Sequence, residues 1–187
     1  MNMEQNVTQK NMWNTAGKAG LFLGLASAAY LFITQLMGQS EMPAILRSVI
    51  GFALWAAKFV GCIWIMKLFM KKFAHENDSV SNSGTFKLGL MMALLSALVY
   101  SAFAFANVAF ISPELFESQM NAAMQQMAPM MDSNTQSVME TYMENLPQIT
   151  FFSNLIYCTI YGMILSFILS RNIPSKDPFA EYKPDEQ

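Results

Sequence analysis

Lys58 is the residue whose type and surroundings are hardest to reconcile with plain packing. It lies 11 residues after Arg47 and 9 before Lys67, inside an otherwise apolar run. At about 1.5 Å per helical residue that places it near mid-membrane. A lysine at that depth costs about 2.5–3.5 kcal/mol on insertion scales, and such residues often mark a solute or proton path. No acid occurs inside any apolar run to pair with it. Its candidate partners are the neutral Asn107, Ser96, Tyr100, Tyr157 and Gln35, or backbone carbonyls. A snorkelling or internally bonded structural lysine is the plainer alternative.

The other chemistry-bearing residues are sparse. Phe116, Met120, Met124, Met127 and Met131 recur at steps of four, four, three and four, which is one helical stripe. With Met130, Met139 and Met143 they form a methionine-rich segment, and thioethers are soft ligands suited to Cu(I). The same spacing is what packing against a partner helix requires, and methionine fills irregular apolar faces well. Cys62 and Cys158 fall in apolar runs without CxxC spacing, with no basic neighbour to activate them, and read as small packing residues. His75 is the one histidine, which removes most metal and acid–base constellations. Glu114, Glu117 and Glu140 read as a solvated helix face rather than a cation site. There is no phosphate-binding loop, nucleophile elbow or pair of intramembrane acids, so neither catalytic nor metal nor cofactor residues are assigned.

What must position these residues is a membrane bundle. Of 187 residues, 53% are hydrophobic and 13% charged; a soluble domain runs nearer a quarter charged. With a net charge of −2 there is no basic field to draw nucleic acid. After a polar segment at 1–12, apolar runs cover about 13–37, 44–70, 86–111 and 149–170, each long enough to cross about 30 Å of hydrocarbon. Gly20, Gly24 and Ala28 recur every fourth residue, a ridge that lets another helix approach closely. Shifting the chain by 69 residues aligns Lys18, Gly20, Leu21, Leu25, Ser27 and Ala28 with Lys87, Gly89, Leu90, Leu94, Ser96 and Ala97. That is either a parallel hairpin repeat or the ordinary likeness of two Leu/Ala/Gly-rich helices.

The interval Ser112–Gln148 carries Glu114, Glu117, Asp132, Glu140 and Glu144 and no basic side chain. Lys10, Lys18, Lys67, Lys71, Lys72, Lys87, Arg171, Lys176 and Lys183 all sit at the opposite ends of the apolar runs; only Arg47 and Lys58 do not. The cytoplasmic excess of Lys and Arg therefore places both termini, including the tail 171–187, inside the cell and Ser112–Gln148 outside it. Within that outer interval Ser112-Pro113-Glu114 predicts a helix start. Pro129 predicts a stop, Ser133 and Gln136 a capping box, and Pro147 the end of a second helix. The expectation is an all-α polytopic protein: four transmembrane helices, with two short amphipathic helices over the outer mouth between the third and fourth.

Four spans, the Ile-Ser-Pro-Glu run at 111–114, the acidic Met-rich pair, and Arg171-Asn-Ile-Pro-Ser-Lys-Asp-Pro-Phe179 together resemble an uncharacterised bacterial family, domain of unknown function 4199, found mostly in Bacteroidetes. The resemblance implies a Gram-negative inner-membrane protein and brings no activity or catalytic residues with it. The functional expectation is a non-enzymatic membrane protein, acting through helix-mediated association with itself or with a membrane or periplasmic partner. Alternatives are a small transporter or channel using Lys58, and Cu(I) handling by the outer methionines.

Overall fold

The computed structural model describes residues 3–77, 81–127 and 132–173. Met130, Met131, Pro129, Lys176, Lys183 and the tail beyond residue 173 lie outside them. Six α-helices follow one another: α1 (Met3–Gln39), α2 (Ala44–Glu76), α3 (Asn82–Ala106), α4 (Pro113–Met127), α5 (Ser133–Glu144) and α6 (Leu146–Arg171). A π-helical turn, Asn107–Ile111, carries α3 into α4. The described residues contain no strand. Four stretches, Gln9–Gln39, Ala44–Glu76, Asn82–Ile111 and Leu146–Arg171, are long and apolar enough to cross a bilayer. The protein is an all-α, multi-pass membrane protein.

Several helices run past their apolar cores. The polar residues before Trp13 continue α1 upstream to Met3, and α2 keeps going through His75 to Glu76. Ser81 is the α3 N-cap, its hydroxyl accepting from the Gly84 N–H at 3.3 Å. Pro147 opens α6 rather than closing α5, because proline's missing donor costs nothing in a first helical turn. Asp132, not Ser133, caps α5: its carboxylate accepts from the Thr135 N–H at 2.8 Å.

Neighbour relations settle the bundle's order. α3 packs extensively on both α6 and α1, and α1 packs on α2, whereas α2 barely touches α6. The four spans thus run round the bundle as α2–α1–α3–α6, with an open seam between the last and the first. The close edges rest on small residues. A Cβ added at Gly20 would meet Leu95 Cβ at 2.7 Å, and one at Gly24 would meet Val99 Cβ at 2.6 Å, so α1 lies against α3 only because both are glycine. Gly89 opposite Ser166, and Gly162 opposite Ala93, do the same for α3 and α6. The Ser166 hydroxyl also donates to the Phe86 carbonyl across that contact at 2.8 Å.

The dry core gathers at one end. Ala16, Leu23, Met66, Met70, Phe73, Leu88, Met92 and Leu169 pack together where α1 and α3 begin and α2 and α6 finish. This terminal end also carries Lys10, Lys18, Lys67, Lys71, Lys72, Lys87 and Arg171. The opposite, hairpin end bears the α1–α2 turn, α4 and α5. There Arg47, the exception to the charge pattern, donates from Nη2 to the Ser40 and Met42 carbonyls at 3.2 and 3.1 Å and so braces that turn.

α4 and α5 lie at the hairpin end and are held there lightly. No α4 residue is fully buried, α4 meets the bundle chiefly through the π turn, and α5 meets it only beside α6. Both are short, so there is little area for the bundle to hold.

Candidate functional site

Lys58 sits where α2 parts from α6, and its ammonium lies over two aromatic faces. Nζ is 4.7 Å from the Tyr30 ring centroid on α1 and 5.4 Å from that of Tyr100 on α3. The attraction of a cation to a ring face is worth about 2 kcal/mol or more when both are withdrawn from water, so two rings offset much of the cost of a lysine at this depth. Of the neutral partners read from the sequence, Tyr100 is one; Tyr30 was not foreseen.

Around the ammonium is a half-open cavity of about 290 Å³ between all four spans. α1 contributes Ser27, α3 Ser96 and Tyr100, and α6 Tyr157 and Tyr161. Cys62 and Cys158 both line it, and both thiols lie within electrostatic reach of Lys58. They are therefore not remote from a basic group, as their sequence context suggested. Cys62 is one helical turn from Lys58 on α2, and Cys158 reaches it across the seam. No Asp, Glu or His lines the cavity. Trp55 stacks on Phe59 with centroids 5.5 Å apart, and Phe59 meets Tyr161 at 6.2 Å, the aromatic bridge across the open edge.

Asn107 and Gln35 do not reach Lys58; they meet each other nearer the hairpin end. Asn107 Nδ2 donates to Gln35 Oε1 at 2.5 Å, and Gln35 Nε2 donates to Ser112 Oγ at 2.7 Å. Ser112 is thus occupied by α1, while Pro113 starts α4 as expected.

On α4, Phe116, Met120 and Met124 are half-buried and Met127 is exposed; Met131 lies outside the described residues. Only Phe116 of this stripe lines a cavity wall. Among the described residues no group of three or more His, Cys, Asp or Glu could hold a metal ion. The site can hold a polar or anionic group against Lys58.

No curated protein and no solved structure matches the chain. One family does, over residues 18–171, a stretch that takes in most of the first span, the other three, the cavity and both hairpin-end helices. The chain belongs to that family, described as protein of unknown function (DUF4199).

Proposed function

We propose that the protein is a non-enzymatic membrane protein that binds a small organic anion in the Lys58 cavity, as a carrier or channel would. The observation that carries this is an ammonium within a spanning helix, in a cavity with no acidic wall. A cation withdrawn from water without a counter-ion favours an anionic guest. Serine, tyrosine and cysteine side chains around it supply hydrogen-bond donors, and Trp55, Phe59 and Tyr161 supply apolar wall for the guest's carbon frame. Below the cavity, toward the terminal end, the packed core closes the way. The Lys/Arg pattern supports both termini being cytoplasmic, which puts the packed core on the cytoplasmic side of the cavity.

The experiment is binding of labelled benzoate, acetate, phosphate and chloride to the protein in nanodiscs. The organic anions bind the wild type; Lys58→Met weakens that binding at least about tenfold, a change of about 1.4 kcal/mol, and Lys58→Arg retains part of it. Equal binding by Lys58→Met, with its helical content intact, overturns the reading, as does failure of every anion to bind.

A second reading rests on α4. Its stripe of Phe116, Met120 and Met124 is only half-covered and Met127 is exposed, which supports association with a second copy or a periplasmic partner through that face. Cross-linking lost on making Met120, Met124 and Met127 polar supports it; complexes indifferent to those changes remove it.

A further inference from the structure

A second pocket, of about 340 Å³, lies between α1, α6, the π turn and the first turns of α4. Its polar walls are Thr34, Gln35, Asn107, Gln119, Thr150 and Asn154. Asn107 is 1% exposed, and its Oδ1 has no hydrogen-bond partner among the described residues. A buried amide oxygen left so costs about 1–3 kcal/mol.

Asn107 Nδ2 is spent on Gln35, Gln35 Nε2 on Ser112, and Asn154 Nδ2 on the Thr150 carbonyl at 2.8 Å. The Thr34 hydroxyl donates back to the Tyr30 and Leu31 carbonyls, both at 2.9 Å. Each of these amides spends one hydrogen within the protein, and the oxygens open to a guest are Asn107 Oδ1, Asn154 Oδ1 and the spare lone pairs of Gln35 and Ser112, with the Thr150 hydroxyl and Gln119 amide on the same walls. Asn107 is also the first residue of the π turn, where α3 departs from α-helical pairing and the Ser112 N–H reaches back to the Asn107 carbonyl at 2.9 Å. Such turns recur at functional sites, and irregular backbone at membrane depth is tolerated where it lines a cavity.

We infer that this pocket binds a monovalent alkali cation, held by the neutral oxygens of Asn107, Asn154 and Gln35. A hard cation takes oxygen ligands and has no use for donors. Divalent ions draw on carboxylates, and no carboxylate lines the pocket. The acid-only character of the surrounding interval, with Glu114 and Glu117 on α4, raises the local cation concentration at the mouth.

The test uses the full-length protein in zwitterionic nanodiscs, melted in lithium, sodium, potassium or choline chloride at one ionic strength. One alkali ion raises Tm saturably above choline. Asn154→Leu, at a half-buried position, raises the concentration for half the effect at least about tenfold, the ratio set by losing a ligand oxygen. Asn107→Leu does the same if it folds; if it does not, Asn154→Leu decides alone. Equal melting in every salt, or an Asn154→Leu protein with the wild-type half-saturation, means that water alone fills the pocket and overturns the assignment.

Discussion

Asp132 shows how a single side chain sets an element's limits outside the membrane. Hydrogen bonds from Thr135, by side chain and backbone, hold its carboxyl below the usual carboxylate range. A carboxyl depressed in the folded state contributes stability above its unfolded pKa and loses that contribution as pH falls through the folded value. Protection of the Thr135 amide, its exchange relative to the intrinsic rate at each pH, should therefore hold at neutral pH and fall only in strong acid, whereas Asp132→Ala should show little protection at any pH. Exchange in the wild type that ignores acid would remove the capping argument. At this same scale, Lys58 and Tyr100 were legible because one is the lone mid-span cation and the other an aromatic at matching depth. Tyr30 was not, because pairing across helices requires knowing which helices adjoin. Gln35 and Asn107 carried the right chemistry but sit one to two turns nearer the hairpin end, so they satisfy each other.

Helix contacts repeat the lesson with backbone in place of side chains. The Gly20, Gly24, Ala28 ridge was plain from its spacing, yet spacing names no partner; α3 is the partner, at Leu95 and Val99. Gly24→Leu should destabilise the protein by about 1–3 kcal/mol, the usual cost of overpacking. Gly61→Ala, on the same fold but with nothing within 4 Å of a new Cβ, should be neutral or slightly stabilising. Unfolding in mixed micelles measures both, and equal stabilities for the two variants would refute the contact. Gly20 and Gly89, matched by the 69-residue shift, are both contact glycines, the first against α3 and the second against α6. Boundaries were the least legible feature. Polar residues continue α1 and α2 for several turns because an end of a membrane helix that leaves the lipid need not be apolar.

The whole molecule divides into a dry half and a polar half. The terminal end is sealed by Met66, Met70, Phe73, Leu88 and Met92, and both cavities lie on its hairpin side. If an anion meets Lys58 and a cation meets Asn107 in one bundle, their opposite charges favour each other, and whatever coupling results is the same factor in both directions. Benzoate binding measured in the stabilising alkali chloride should be several-fold tighter than in choline chloride, a coupling of roughly 1 kcal/mol. Identical affinities would leave two independent sites. The unequal edges of the bundle carry one more consequence. Two sides, α1–α3 and α3–α6, are locked by glycine-close helix contacts, whereas the α2–α6 edge is held by little more than the meeting of Phe59 and Tyr161. If the Lys58 cavity takes a guest, as proposed, one dissolved among the acyl chains would have a sideways route to the ammonium between those two rings.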